Sequence, residues 1–336
     1  MMQIPVYIHP SLTVLIDDSD TFLRSLSFQL DPMLASKTFH DTSSALQWLT
    51  QSARPDDVPL QVNFDTQNLP PDHCNVAVDI ERIYRISGHA RRFAAPSVLV
   101  VDYSMPQMNG IEFCEAVRHL PCKKILFTGA ADEKIAVNAF NRGLIDRYIK
   151  KSDDDALDRL ELDIAELQRQ FFAEQSETLR DLLVLHHCHF LQDEALAAVV
   201  RELSASHGFV EHYIFPNPSG ILFFDVEGKG KLMIIETEKG LRAQYEIARD
   251  SDAPPSLLNA LLEQRVIPFF SDPDGDGMYA AAIGENWYRY CSAPRVCHGK
   301  ETYFWALFDL PEHYLDTPVH SYAQYLRELR QQPRAA

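Results

Sequence analysis

Four short apolar runs in the first half of the chain each stop at a charged or polar residue. "LTVLID" ends on Asp17, "SVLVVD" ends on Asp102, "KKILFT" ends on Thr128, and "RYIKK" ends on Lys150 and Lys151. Segments with apolar residues at helical spacing, such as "DTFLRSLSFQL" and "DEKIAVNAFNRGL", separate these runs. Short strands rich in β-branched residues that alternate with helices indicate a parallel sheet with helices on both faces. We therefore expect a doubly wound α/β fold for this half.

The carboxyl ends of the strands of such a sheet lie along one edge, where ligand sites form. The side chains that we expect at this edge are Asp17, Asp18, Asp102, Thr128 and one of the two lysines, Lys150 or Lys151. Carboxylates held close together repel each other, and Mg²⁺, which prefers oxygen ligands, relieves that repulsion. A carboxylate beside Mg²⁺, a hydroxyl and an ammonium group is a candidate nucleophile toward phosphorus.

These stretches resemble the receiver domain of two-component response regulators. The matching segments occur in the family's order over most of residues 11–152: "VLIDDSDTFL", "VLVVDYSMPQMNGIEF", "ILFTGAADEKIAVNAFNRG" and "RYIKKS". The resemblance implies a flavodoxin-like parallel sheet and a sensor histidine kinase as the phosphodonor. It also implies that Asp102 is the phosphoacceptor. Mg²⁺ would be held by Asp17, Asp18 and Asp102, together with the backbone carbonyl of Ser104.

The same resemblance assigns three further roles. Thr128 corresponds to the hydroxyl that follows the phosphoryl group, and Tyr148 corresponds to the switch aromatic residue. Lys151 corresponds to the lysine of the site, with Lys150 as the competing assignment. Ser152 departs from the family pattern, which usually has a proline there, and we expect the following loop to differ.

The predicted receiver domain spans residues 1–152 and contains an insertion at about 53–95 that lengthens the stretch between Asp18 and Asp102. The insertion predicts a helix at 76–93 that carries several arginines: Arg82, Arg85, Arg91 and Arg92. Two interpretations remain open for this helix. It is either a docking element for an acidic partner or a solvated helix that covers the edge of the sheet.

Residues 153–189 predict a helical linker or the last receiver helix. Apolar residues recur there at spacings of three and four: Leu157, Leu160, Ile164, Leu167 and Phe171. This pattern is typical of a helix that pairs between two chains, which favours a homodimer. It is equally explained by a helix that packs on the receiver's own sheet. A weaker continuation through Leu179, Leu182 and Leu185 favours an extended helix into the second domain.

The pattern changes at about residue 190, and residues 190–336 predict a smaller α+β output domain with an antiparallel sheet. "GILFFDVEGKGKLMIIETE" is typical of a β-hairpin, and "DEALAAVVRELSASHG" is typical of a helix that ends at Gly208. Further strands are predicted at "VIPFF", "MYAAAI", "NWYRYCSA" and "ETYFWALFDL", and a final helix at "SYAQYLRELRQ".

Charge and motifs limit the function. The chain carries 31 basic and 48 acidic residues, a net charge of −17, which argues against a surface for nucleic acid or anionic lipid. No helix-turn-helix, cyclase, phosphodiesterase or kinase motif is recognisable in the second half. We expect a cytoplasmic response regulator whose output domain binds a protein or a small ligand. The alternatives are a phosphorylation-gated enzyme and a transcriptional regulator.

Overall fold

A computed structural model describes residues 3–52, 60–63, 75–129, 133–185, 188–271 and 278–331, with only the main chain at 60–63 and 75–78. The strands are β1 Tyr7–Ile8, β2 Leu12–Ile16, β3 Ser36–Phe39, β4 Leu60–Asn63, β5 Asn75–Val78, β6 Pro96–Val101, β7 Lys123–Thr128, β8 Arg147–Lys150, β9 Phe209–Phe215, β10 Gly220–Asp225, β11 Gly230–Thr237, β12 Ile267–Pro268, β13 Cys291–Ser292, β14 Arg295–His298 and β15 Thr302–Asp309. The helices are α1 Asp20–Gln29, α2 Thr42–Ser52, α3 Ile80–Arg85, α4 Gly110–Ala116, α5 Glu133–Asn141, α6 Ala156–Gln175, α7 Glu177–Leu185, α8 Glu194–His207, α9 Glu238–Asp250, α10 Pro255–Leu262 and α11 Tyr322–Gln331.

The expected parallel sheet is present, with the strand order β3-β2-β6-β7-β8. Its central strands β2, β6 and β7 are buried almost throughout. This burial explains why they consist of continuous apolar residues, because helices cover both faces of the sheet. Helices α1 and α6 pack on one face of the sheet, and α2, α4 and α5 pack on the other. This is the doubly wound, flavodoxin-like architecture of a receiver domain.

A separate antiparallel sheet has the strand order β1-β9-β10-β11-β15-β14. The predicted hairpin is confirmed as β10 paired with β11, and Gly228 in its turn has a φ of +81° that favours glycine. The predicted helix before it is confirmed as α8, which ends at Gly208 with a φ of +67°. The sequence interpretation missed α9, which follows β11 directly.

The contacts divide the chain into two units at other points than the sequence predicts. The parallel unit comprises His9–Val58, Ala90–Gln175 and Gln324–Ala336, and the antiparallel unit comprises Met1–Ile8, Pro59–His89 and Ser176–Ala323. The predicted bounds of 1–152, 153–189 and 190–336 therefore need correction, and the antiparallel unit is the larger of the two. The cause is pairing between distant segments, which local patterns do not reveal.

Two contacts show why the first eight residues belong to the antiparallel unit. Strand β1 pairs antiparallel with β9, with Tyr7 opposite Tyr213. The backbone nitrogen of Ile4 also donates to the carbonyl of Leu191 at 3.0 Å. Part of the insertion joins the same unit because α3 packs against β9.

The single helix predicted at 76–93 is wrong. Strand β5 pairs antiparallel with β4, and α3 then covers only six residues before short 3₁₀ turns at Ile86–Gly88 and Ala90–Ala94. The valines of "NVAV" favour the strand over the helix at the start of the segment.

Three of the four arginines of the insertion have interactions within the protein. Arg82 pairs with Asp79 at 3.3 Å, and Arg85 pairs with Glu81 at 2.9 Å. Arg92 is buried. Arg82 and Arg85 therefore already have acidic partners in the same segment of the chain.

The interchain interpretation of the repeat in α6 is wrong for its central residues. Leu160, Ile164 and Leu167 are at most 1% exposed and lie in the core between α6 and the parallel sheet of the same chain. The predicted extended helix is also interrupted. Helix α6 ends at Gln175, and α7 begins after Ser176, whose buried Oγ accepts from the backbone nitrogen of Val6 at 3.3 Å.

The strands predicted at "MYAAAI" and "NWYRYCSA" are mostly wrong. Residues Ala281–Tyr290 form 3₁₀ turns, and only Cys291–Ser292 extends as a strand, paired with β12. Tyr279, Ile283 and Trp287 pack into one small core.

Among the described residues, no helix is long and apolar enough to span a bilayer.

Candidate functional site

Two buried carboxylates lie side by side at the carboxyl edge of the parallel sheet. Asp17 directly follows β2 and Asp102 directly follows β6, and both side chains are buried. The strands are in parallel register, with Ile16 opposite Val101, and the Asp102 backbone nitrogen donates to the Ile16 carbonyl at 2.9 Å. The fold thus gathers the two aspartates that the sequence pattern predicts at this edge.

The ammonium group of Lys151 bridges the two carboxylates. Its Nζ donates to Oδ2 of Asp17 at 2.5 Å and to Oδ1 of Asp102 at 2.6 Å. The same Nζ lies 4.1 Å from the centre of the Phe22 ring, which adds a cation–π contact. Because two carboxylates share one cation in a buried place, the pair retains an excess negative charge that favours a further cation.

The second oxygen of each carboxylate accepts a hydrogen bond from the main chain two residues further on. Ser19 donates its backbone nitrogen to Oδ1 of Asp17 at 2.9 Å, and Ser104 donates its backbone nitrogen to Oδ2 of Asp102 at 2.6 Å. These local turns fix the orientation of both side chains before any ligand binds.

Helix α4 begins beside Asp102 because residue 110 is a glycine. A Cβ at Gly110 would lie 2.2 Å from the carbonyl oxygen of Asp102, so a side chain cannot be accommodated without movement of the main chain. Asn109 caps this helix in a capping box with Glu112. The sequence interpretation did not assign a role to Gly110, although the Asn109–Glu112 spacing is a recognisable signal.

The structure distinguishes the two candidate lysines. Lys150 pairs with Glu133 rather than with either aspartate, whereas the backbone nitrogen of Lys151 donates to the Thr128 carbonyl at 3.1 Å. Phe22 is the other residue of the site that the sequence interpretation missed. Its contact with Lys151 depends on the tertiary fold, so no local signal could have found it.

The remaining predicted residues lie along the same edge. Asp18 follows Asp17 and is exposed, and Thr128 is buried at the end of β7. Tyr148 lies one strand further, in β8, where it is half-buried and packs against the core shared by α2, α4 and α5.

The donor set fits a magnesium ion. Among the described residues, no three side chains of His, Cys, Asp or Glu surround one point as a complete metal cage. Mg²⁺ does not need such a cage, because it keeps several water ligands and binds through one or two carboxylates. Asp17 and Asp102 already share one positive group, and both offer hard oxygen ligands.

Comparisons with known proteins give one family match and one structural match over nearly the whole chain. A family model described as the response regulator receiver domain matches residues 56–160. Among solved structures, the chain is similar to the Legionella pneumophila response regulator LqsR, with 31% identity, a TM-score of 0.78, and coverage of 98% of this chain and 97% of that chain. No curated protein matches the chain significantly.

Two shorter matches cover about half of the chain. One is an adenylate cyclase from Rhodopirellula baltica, with 19% identity, a TM-score of 0.34, and coverage of 52% of this chain and 97% of that chain. The other is the signal receiver domain of a putative Luxo repressor protein from Vibrio parahaemolyticus, with 14% identity, a TM-score of 0.33 and the same two coverages. Scores this low add nothing to the functional assignment.

Proposed function

The chain belongs to the response regulators, and we propose that it accepts a phosphoryl group on Asp102 from a sensor histidine kinase. The observation that carries this proposal is the ammonium of Lys151 between two buried carboxylates at the ends of β2 and β6. A carboxylate held by a cation at a strand tip is suited to attack phosphorus, because the cation also offsets charge on the transferred group.

In the proposed step, a carboxylate oxygen of Asp102 attacks the phosphorus of a phosphohistidine. The P–N bond breaks as the P–O bond forms, and the leaving imidazole takes up a proton from solvent. Lys151 neutralises part of the charge on the phosphoryl oxygens, and the Thr128 hydroxyl donates to one of them. Asp17 keeps the ammonium of Lys151 in place.

Magnesium is the proposed cofactor. Asp17, Asp18 and Asp102 and the backbone carbonyl of Ser104 would hold it, and when bound it supplies positive charge beside the phosphoryl oxygens. Asp18 fits this role because it is exposed next to the buried Asp17, where a partly hydrated ion remains accessible to water.

We assign the switch to Thr128 and Tyr148. Once Thr128 donates to the phosphoryl group, its side chain moves toward the site, and the half-buried ring of Tyr148 on the next strand repacks. Such a local charge event changes the balance between two packings of the domain.

The antiparallel unit is the proposed output domain, which acts by binding a protein or a small ligand. The aromatic residues of β15 that could have lined a pocket, Tyr303, Phe304 and Trp305, instead lie in the core of this unit. Burial raises the pKa of Glu236 to about 7, but a single carboxyl group is weak support for an enzyme. The acidic chain likewise gives little support to a transcriptional regulator.

A homodimer in the cytoplasm completes the proposal. Because the repeat in α6 is buried within one chain, dimerisation needs another surface. Sedimentation with Mg²⁺ and the phosphoryl mimic beryllofluoride tests it, and a protein that stays monomeric at high concentration contradicts it.

The central assignment is tested by intact mass after incubation with Mg²⁺ and a small acyl phosphate. Wild type should gain one phosphoryl group, and Asp102→Asn should gain none, because an amide is a poor nucleophile. Asp41→Asn is the matched control: Asp41 caps α2 by accepting from the Ser44 nitrogen at 2.7 Å, and asparagine caps equally well. An adduct of normal yield on Asp102→Asn contradicts the proposal.

A further inference from the structure

Four rings from distant parts of the sequence pack together inside the parallel unit. His9 lies 4.6 Å from Phe172 and 6.3 Å from Phe93 between ring centres, and Phe93 lies 5.3 Å from Tyr325. His9, Phe93 and Phe172 are buried, and Tyr325 is half-buried. We call these four residues the aromatic cluster.

Further contacts hold the cluster at the amino-terminal edge of the parallel sheet. The buried guanidinium group of Arg92 lies 3.8 Å from the centre of the Phe93 ring. The hydroxyls of Ser11 and Ser97, both buried, are 2.7 Å apart and join the starts of β2 and β6. A buried hydrogen bond and a desolvated cation–π contact stabilise this edge.

The cluster lies at the far ends of the elements that carry the site. Three elements lie between a charged residue of the site and a ring. Strand β2 lies between His9 and Asp17, and β6 lies between Phe93 and Asp102. Helix α6 begins five residues after Lys151 and contains Phe172. The strands span roughly 17–20 Å at about 3.3 Å per residue. The helix spans about 30 Å at 1.5 Å per residue. Two strands and one helix therefore connect the carboxyl edge with the rings.

The rings also lie where the chain leaves the parallel unit. The chain passes between the two units at 8/9, 89/90, 175/176 and 323/324. Each ring is within four residues of one of these four crossings. A fifth crossing, at 58/59, lies outside the described residues.

We propose that the aromatic cluster is the joint through which the phosphorylation state of Asp102 reaches the antiparallel unit. The inference rests on the proposed function, because it needs Asp102 to be the phosphoacceptor. A phosphoryl group on Asp102 draws Lys151 away from its present shared position, which shifts the ends of β6 and α6. Close-packed rings cannot absorb that shift independently, so they repack together and move the chain segments that continue into the antiparallel unit.

Hydrogen exchange on the full-length protein tests this joint. We would compare wild type, Phe172→Leu and a control, Trp48→Leu, each with and without Mg²⁺ and beryllofluoride. Trp48 is a matched control because it is half-buried in the same unit and contacts one ring, Phe39, at 5.6 Å, but lies at none of the four crossings. Two sets of peptides are read separately: residues 12–18 and 98–104 report on the site, and β9 to β11 report on the antiparallel unit.

In wild type and in Trp48→Leu, the mimic should protect the site peptides and change exchange in β9 to β11. In Phe172→Leu, protection at the site should persist, while the change in β9 to β11 should shrink about threefold or more. A response of normal size in β9 to β11 of Phe172→Leu overturns the inference alone. The inference is also overturned if the mimic protects the site of the wild type but does not change hydrogen exchange in β9 to β11. No protection at the wild-type site overturns the proposed function and the inference with it.

A second pair of variants allows the test to be decided even if Phe172→Leu does not fold. Tyr325→Leu removes a half-buried ring, and Tyr325→Phe retains it, so both should fold. The response in β9 to β11 should be reduced in Tyr325→Leu and retained in Tyr325→Phe. Equal responses in these two variants would refute the joint even if Phe172→Leu fails to fold.

Discussion

The two edges of the parallel sheet are built from opposite kinds of contact. At the carboxyl edge, Asp17 and Asp102 share the ammonium of Lys151, so one added anion or cation changes every interaction there. At the amino edge, rings from four distant parts of the chain pack against one another. The same strands, β2 and β6, begin at one edge and end at the other.

The difference suggests a division of labour along a single strand. Charge interactions at the first edge are strong and depend on which groups are ionised or bound. Packing at the second edge depends on shape and responds as a whole. A change of charge at the carboxyl edge can therefore cause a change of side-chain packing at the amino edge. The following variants test each edge.

The largest effect is expected for α6, which connects the two edges. Leu160→Asp with Leu167→Asp places two unpaired charges in the core and should unfold the parallel unit, since each costs several kcal/mol. Thermal melting should show the loss of a cooperative transition. Leu162→Asp, on the exposed side of the same helix, should melt like wild type. A folded monomer from the double variant would restore the interchain interpretation of this helix.

At the charged edge, Lys151→Met should destabilise the protein by about 3–5 kcal/mol, because it leaves two buried carboxylates without their cation. Urea unfolding measures this, and Mg²⁺ should recover more stability in the variant than in wild type. Lys150→Met removes only an exposed pair with Glu133 and should cost less than about 1 kcal/mol. If the two variants cost the same, Lys151 does not hold the site together.

At the amino edge, where the aromatic cluster lies, the expected effect is on the pH dependence of stability. Burial lowers the pKa of His9 to about 3, partly opposed by its hydrogen bond with the Pro10 carbonyl. Between about pH 3 and pH 6.5, His9 binds a proton in the unfolded chain and not in the folded chain. Stability should therefore fall as pH decreases below 6.5, by about 1.4 kcal/mol per unit for this group.

Urea unfolding at about pH 7 and about pH 5 measures that slope. His9→Leu should flatten it. Trp48→Leu, which changes no titratable group, should leave it unchanged. A residual slope remains in His9→Leu because burial also lowers the pKa of His212, in the antiparallel unit, to about 4. An unchanged slope in His9→Leu would mean that the cluster admits a protonated ring.

The smallest effect is expected at the exposed acid of the charged edge. Asp18→Asn should weaken Mg²⁺ binding about tenfold, or about 1.4 kcal/mol, and leave folding intact. Calorimetric titration with Mg²⁺ measures the affinity. Asp20→Asn, two residues further on, is the control, since Asp20 pairs with Arg24 at the surface. Equal affinities for Asp18→Asn and wild type would remove Asp18 from the metal site.

The two aspartates of the carboxyl edge could be predicted from the sequence because each of them follows a local pattern. A run of β-branched apolar residues followed directly by an aspartate predicts the position of Asp17 and of Asp102 at a strand end without knowledge of the tertiary fold. The choice between Lys150 and Lys151 could not be made in this way, because both lie at the carboxyl end of the same strand. It depends on which side chain points to the aspartates.

The aromatic edge and the division into units could not be predicted. His9, Phe93, Phe172 and Tyr325 each occur in an unremarkable local sequence, and only the tertiary fold brings them together. Strand β1 likewise consists of two residues whose partner strand is about 200 residues away. Local periodicity carries no information about such pairing.

The central claim, that Asp102 accepts the phosphoryl group, is tested most directly by locating that group in the wild-type protein. After incubation with Mg²⁺ and a small acyl phosphate, cold tryptic digestion yields one peptide from Phe93 to Arg118 that contains Asp102, while Asp17 and Asp18 fall in the peptide that ends at Arg24. Mass spectrometry should find the phosphoryl group on the first peptide, in a form that hydroxylamine removes. A phosphoryl group on the second peptide, or on a peptide with neither, would contradict the account.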